Sequence, residues 1–218
     1  KQLFNQIKDS TFIIKNNQGQ NWLNKIVLNK LEISEDDRQI NRPHDIVVNE
    51  FNIGLEDKDD AIFLFSAEAD LLVKSLAFNL ERGSFVQGKR FRGVFDLRFD
   101  KKIKQLQFDS INIKLDDQPF NITARFDMAG DNRQFSIRVH TNDILYSFAK
   151  SLLTKKISTA LSIADADKPL DVTANLNGPL KGGDPLIKVN FSTKKTHLKT
   201  PFIDFDDASF KGFYTNEV

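Results

Sequence analysis

Residues 91–139 read FRGVFDLRFDKKIKQLQFDSINIKLDDQPFNITARFDMAGDNRQFSIRV. Four runs of alternating apolar and polar residues stand out in this stretch. Phe91, Gly93, Phe95, Leu97 and Phe99 alternate with Arg92, Asp96 and Arg98, and Ile111, Ile113 and Leu115 alternate with Asn112 and Lys114. Phe120, Ile122, Ala124, Phe126 and Met128 alternate with Asn121, Thr123, Arg125 and Asp127, and Phe135, Ile137 and Val139 close the set. Asp100-Lys101-Lys102, Asp116 to Pro119 and Gly130-Asp131-Asn132 break the runs. Successive side chains of a strand point to opposite faces, so each run predicts a strand with one greasy and one charged face. The short breaks make neighbouring strands antiparallel. Two architectures fit this pattern. One is half of a β-sandwich, the commoner outcome of such alternation, with its apolar face in a dry core. The other is an open sheet whose apolar face lines a groove for acyl chains.

Working outward, the rest of the 218-residue chain is of one kind, long enough for one large all-β domain or two small ones. Hydrophobic residues make up 40% and charged residues 28%, which marks a folded rather than a disordered chain. The net charge is +1, with both signs interspersed, and this argues against a nucleic-acid binder, which needs a basic face. Phe is overused, at 20 residues against one Trp and two Tyr, so the apolar faces carry bulk without polar handles. With no Cys, disulfides, thiolate metal sites and thiol nucleophiles are excluded. No run is long enough for a transmembrane helix. The chain begins at Lys1 rather than Met and is read as an excised segment, with any signal or anchor outside it.

Before the central stretch, Phe4, Ile7 and Thr11 to Lys15 are weak strand signals, and Trp22 to Ile33 is a strand whose parity slips at Asn29, predicting a bulge or bend. Val47 to Leu55 follows. Ala61 to Val73 is the longest strict alternation, and Leu76, Phe78 and Leu80 resume it. As one strand to Gly83 it would span on the order of 70 Å, far beyond the usual length, so a bend near Asp70 or Lys74 is expected. After the central stretch the period changes. Leu145, Phe148, Ala149 and Leu152 have helical spacing, as do Leu153, Ile157, Ala160 and Ala164, and the two stripes are rotated about Thr154-Lys155-Lys156. This predicts two short amphipathic helices, or one kinked helix, within 142–164, with Thr141 or Asn142 as the N-cap. They would plug the end of the sheet, gate a groove or touch a membrane surface. Strands return at Leu170 to Leu176, Ile187 to Phe191 and Ala208 to Gly212, with breaks at Gly178 to Pro185, Lys194-Lys195 and Asp206-Asp207.

Catalytic chemistry finds little support. His44, His140 and His197 are far apart and lack ligand spacing. The Asp-Asp pairs at 36–37, 59–60, 116–117 and 206–207 all fall at turn signals, which reads as solvated turns rather than acid–base pairs. No phosphate-binding glycine loop or nucleophile elbow is present. The reading is of a protein that is not an enzyme, with no cofactor and no metal.

The order and spacing of several segments resemble the C-terminal region of AsmA-like proteins of Gram-negative envelopes. These segments are Asp117-Gln118-Pro119-Phe120, Phe126-Asp127, Phe135 to Thr141, the leucine- and lysine-bearing Ile144 to Ile163, and Asp171 to Leu180. The preceding Phe78 to Phe99 and the closing Ala208 to Glu217 extend the likeness from about Leu71 onward, and the Lys- and Asn-rich composition is similar to that of Bacteroidota versions. The resemblance implies an elongated, curved antiparallel sheet forming an open β-groove, with 1–218 a single fragment of a longer, inner-membrane-anchored periplasmic protein. It implies phospholipids as cargo between the two membranes. The alternation and antiparallel pairing put Phe95, Leu97, Phe99, Ile113, Phe120, Ile122, Phe126, Phe135 and Ile137 on one continuous face, and these residues are expected to contact acyl chains. Exposed sheet edges would allow self-association. The competing expectation is a structural or protein-interaction β-module with a closed, dry core.

Overall fold

A computed structural model describes residues 25–35, 44–59, 61–76, 85–181 and 183–217. The expected strands at Phe4–Ile7 and Thr11–Lys15, the loop at 36–38 and the run at 78–80 lie outside these residues. Within them the chain is mainly β. The strands are β1 (Lys25–Glu35), β2 (His44–Asp59), β3 (Ile62–Leu76), β4 (Lys89–Asp100), β5 (Gln105–Leu115), β6 (Gln118–Asp127) and β7 (Gln134–Ile144). Two short helices follow, α1 (Tyr146–Ser151) and α2 (Lys155–Leu161), and then β8 (Asp165–Ala166), β9 (Leu170–Pro179), β10 (Leu186–Lys199) and β11 (Asp204–Thr215). The strands form one antiparallel sheet in the order β1-β2-β3-β4-β5-β6-β7-β9-β10-β11, with β8 added to β10. The edge strands β1 and β11 do not pair with each other, so the sheet is open. At 10 to 16 residues the main strands are long, on the order of 35–50 Å each. The described residues adopt the expected mainly-β, open antiparallel sheet, uncurled rather than curved, and among them helix is confined to 146–161.

No second sheet stacks on the first among the described residues. Register aligns the apolar positions across the strands. Ala69 pairs with Gly93, Gly93 with Ile113, and Ile113 with Phe120. Val139 pairs with Ala174 and Ala174 with Val189. Gly93 is needed at this crossing, because a Cβ there would meet Ile113 Cγ2 at 2.9 Å and the backbone of Ile113 at 3.3 Å. The result is a single apolar face running across the sheet, with Asp, Arg, Asn and Lys on the reverse.

Irregularities fall where a strand carries one extra polar residue. Phe108 and Ile111, three apart, oppose Ala124 and Ile122, two apart, and Ser110 takes φ 54° to absorb the difference. Asp143 (φ 56°) does the same in β7 and Lys195 (φ 50°) in β10. Such bulges keep the apolar residues on one face across the slip. Lys194-Lys195 therefore does not interrupt a strand as expected. It is the bulge of a continuous β10, and Asp206-Asp207 forms a matching bulge inside β11 rather than a turn. The parity slip at Asn29 is answered by Asn49-Glu50 on β2, so the β1–β2 register stays continuous and the shift appears between β2 and β3, opposite Asp70. A second shift lies beside Lys74, and β3 itself runs unbroken to Leu76.

The predicted helix start also needs correcting. Thr141 and Asn142 belong to β7, and α1 begins after Leu145 with no side-chain cap. The Thr141 hydroxyl donates instead to the Pro119 carbonyl (2.7 Å), tying β7 to β6. The break between the helices falls where the stripe rotates, with buried Thr154 at the N-cap position of α2 but making no side-chain capping bond.

Candidate functional site

Helix α1 lies on the apolar face at one end of the strands. Tyr146, Phe148, Ala149 and Leu152 pack on a buried cluster of Ile111, Ile113, Phe120, Ile144 and Leu170. The Lys89 ammonium stands 4.5 Å from the centre of the Phe148 ring and 3.2 Å from Asp116 Oδ2, and the Val86 amide donates to the Leu152 carbonyl (2.9 Å). The Asp116 carboxyl is held below the usual carboxylate range, first by the Arg90 backbone N–H and then by Lys89. Burial pushes the Tyr146 phenol up, and its hydroxyl donates to the Leu161 carbonyl (2.8 Å), joining α1 to α2. This end of the face is a small dry core.

Away from α1 the same face has no covering layer among the described residues. A ladder of aromatic rings crosses it diagonally. Phe91, Phe95, Phe108, Phe126 and Phe135 follow one another over β4, β5, β6 and β7 at centroid spacings between 5.8 and 6.4 Å, alternating tilted, edge-on and stacked contacts. Ring pairs at these spacings are favourable, so the aromatic residues support one another without a second sheet. Leu97, Phe99, Leu106, Phe108, Phe126 and Ile137 are all half-buried, a state that fits a surface flanked by neighbours on its own face and open above.

All nine sequence-predicted site residues sit on this one face, as their pairing requires. Phe126 pairs with Phe135, Ile113 with Phe120 and Ala124 with Ile137, while Phe95, Leu97 and Phe99 oppose Ala67, Phe65 and Phe63. They divide into two environments. Ile113 (3% exposed) and Phe120 (6%) lie in the core under α1, and Phe135 is also buried, whereas Phe95, Leu97, Phe99, Ile122, Phe126 and Ile137 remain half-buried. Sequence reasoning missed Leu106 and Phe108, which lie on the same face. Their alternation with Gln105, Gln107 and Asp109 was readable, but the bulge at Ser110 sets them out of phase with Ile111.

The reverse face is mainly polar, with Val94 and Phe213 exposed on it. Arg90 makes a two-pronged contact with Asp70, whose Oδ1 also accepts from Asn49 (3.1 Å). His140 Nδ1 is 3.0 Å from Thr173 Oγ1, and His197 is 3.9 Å from Asp206. No group of three or more potential metal ligands forms among the described residues. An open depression of about 450 Å³ on this face is bordered by Asp171, Thr173, Asn190, Ser192, Lys211 and Phe213.

Fold and face together define the class: an open, single-layer antiparallel sheet with one apolar face, capped at one end by a helix pair. No family model, curated protein or solved structure matches the chain.

Proposed function

We propose that this chain is a non-enzymatic lipid-holding and transfer module of the Gram-negative envelope, its apolar face cradling phospholipid acyl chains. One observation carries the reading: a continuous apolar face crossed by an aromatic ladder, of which Phe91, Phe95, Phe108 and Phe126 are only half-buried, with no second sheet over it among the described residues. A contiguous apolar face whose side chains are only half-buried still leaves apolar area in water, which is costly and fits an apolar partner. Acyl chains suit a face that is greasy along its length, and the ammonium groups of Lys89 and Lys101, over the Phe148 and Phe63 rings, would meet head groups at the rim. The periplasmic, inner-membrane-anchored setting rests on the AsmA-like resemblance alone. In this reading the chain performs no covalent chemistry, and lipid slides between equivalent apolar positions. The core under α1 favours a second reading, a structural β-module, for that end of the sheet only.

Mass spectrometry of lipids extracted from the purified protein tests the proposal. Phospholipid is expected at stoichiometric or near-stoichiometric level. Phe126→Asp places a carboxylate on the open half of the face, where it still reaches water, so the fold is expected to survive while lipid occupancy falls severalfold. Arg125→Asp on the reverse face is expected to leave occupancy unchanged. Absence of lipid from the wild type, with Phe126→Asp unfolded, defeats the groove and leaves the structural module.

A further inference from the structure

Six of the eleven large apolar residues that stand exposed among the described residues gather at one corner of the molecule. They are Leu145, Leu161, Ile163, Phe202, Ile203 and Phe205. The register brings them together. Leu161 and Ile163 lead into β8, which pairs antiparallel with the end of β10, Asp165 opposite Lys199 and Ala166 opposite Leu198. Continuing that direction, the chain before β8 runs alongside the chain after β10, the Thr200–Ile203 turn. Phe205 returns opposite Leu198. Leu145 joins through the bond from Tyr146 to the Leu161 carbonyl.

The corner is tied together by hydrogen bonds. Thr200 Oγ1 accepts from the Ile203 amide (3.0 Å) and donates to its carbonyl (2.8 Å), closing the turn. Asp167 Oδ1 accepts from the His197 amide (2.7 Å) and from the Thr196 hydroxyl (3.0 Å), fastening β8 to β10, and these bonds hold its carboxyl below the usual range. Phe202 is 94% exposed, at the tip of this fixed turn. A protruding apolar tip has no concavity to receive a side chain from a partner, but it fits a fluid apolar phase that closes around it.

We infer that this corner inserts into the interfacial region of a lipid bilayer and docks the helix-capped end of the apolar face against it. The charge around the corner decides the kind of bilayer. Residues 155–168 and 194–207 carry six lysines (155, 156, 168, 194, 195 and 199) and five aspartates (165, 167, 204, 206 and 207). The balance is nearly neutral, so the corner is built for a zwitterionic surface, with long lysine stems that let ammonium groups reach head groups while the apolar residues go below. Adsorption to anionic lipid would need a basic excess that is absent. The inference rests on the lipid-holding reading for its purpose, and on the exposure and register of the corner for its substance.

The experiment is flotation of the 218-residue protein with vesicles of phosphatidylcholine and phosphatidylethanolamine. The wild type is expected to float, with a partition that changes less than about twofold between 0.1 and 0.5 M salt. The Phe202→Ser/Ile203→Ser double variant is expected to lose about tenfold or more in partition with an unchanged melting temperature, because both side chains are exposed. Phe213→Ser and Val94→Ser, equally exposed but away from the corner, are expected to float like the wild type. In Phe202→Trp, brominated lipid is expected to quench the added emission. Equal flotation of the double variant, binding only to anionic vesicles with release by salt, or dependence of self-association on Phe202 and Ile203 would each overturn the inference, the last by making a second copy the occupant. Extracted lipid separates the two readings. A wild type that floats but carries no lipid removes the groove and keeps the corner, and one that carries lipid but does not float does the reverse.

Discussion

Asp70 stands on the polar face of β3, and its carboxylate takes a two-pronged contact from Arg90 on β4 and a hydrogen bond from Asn49 on β2. Three strands are thus joined on the side away from the apolar face. The Arg90 contact is the largest influence and lowers the Asp70 carboxyl to about 2. A carboxyl whose pKa is depressed on folding contributes stability above its unfolded value of about 4, and loses it as pH falls through the folded value. Asp70→Asn is therefore expected to melt below the wild type at pH 7 and to converge with it as pH falls from about 4 to 2. Since Arg90 is half exposed, solvent screening keeps the deficit at neutral pH within about 1 kcal/mol. Thermal melts of both proteins across that range check the convergence, and a deficit that persists at pH 2 would assign Asp70 a packing role instead.

At the level of elements, α1 is too short to persist alone, since isolated helices of fewer than about 12 residues are marginal in water. Its hold on the sheet comes from Phe148, Leu152 and Tyr146 on the Ile113–Phe120 cluster, and from Lys89 over the Phe148 ring. Phe148→Ala is expected to weaken the docking of α1 by roughly 2 kcal/mol, the lower range for a half-buried ring. Amide exchange in 146–152 should then speed up at least tenfold while β6 stays protected, which hydrogen-exchange mass spectrometry resolves. Loss of protection in β6 as well would make α1 part of the sheet's own stability. The period-two runs made the strands legible in the sequence, and the rotated stripes made the helix break legible. Three features escaped it. Leu106 and Phe108 at the start of β5 alternate legibly, but the Ser110 bulge sets them out of phase with Ile111, so they did not read as part of the same face. Thr141, a good cap by type, spends its hydroxyl on the Pro119 carbonyl because β7 continues past it through a bulge at Asp143. Which of the nine face residues are covered depends on where α1 lands, and alternation is the same for Phe120 beneath it as for Phe126 in the open.

For the whole molecule, the order of strands in the sheet follows the order in the chain, with only the helices and β8 intervening between β7 and β9. Each strand therefore pairs with its sequence neighbours, and stability is nearly one-dimensional, a sum of strand-to-strand interfaces as in a repeat array. Such a molecule is not expected to unfold as one unit. The interfaces differ in kind. β5, β6, β7 and β9 share the dry cluster under α1, where Ile113, Phe120, Ile144 and Leu170 are each less than 7% exposed. Among the described residues β11 has a neighbour on one side only, carries two bulged positions in its pairing with β10, and leaves Phe213 and Tyr214 exposed. Native-state hydrogen exchange is expected to show a gradient. Protection should be highest in the halves of β5, β6 and β7 beneath α1, lower in the halves of the same strands that carry Leu106 and Phe126, and lowest in β11. If the open half holds lipid, delipidated protein should lose protection there and keep it under α1, because a ligand stabilises the part of the native state that binds it. Urea titration followed by fluorescence and by circular dichroism should then give midpoints that do not coincide. A single cooperative transition, with uniform protection from β4 to β11, would mean that the sheet unfolds as a unit and that the division between covered core and open face has no energetic counterpart.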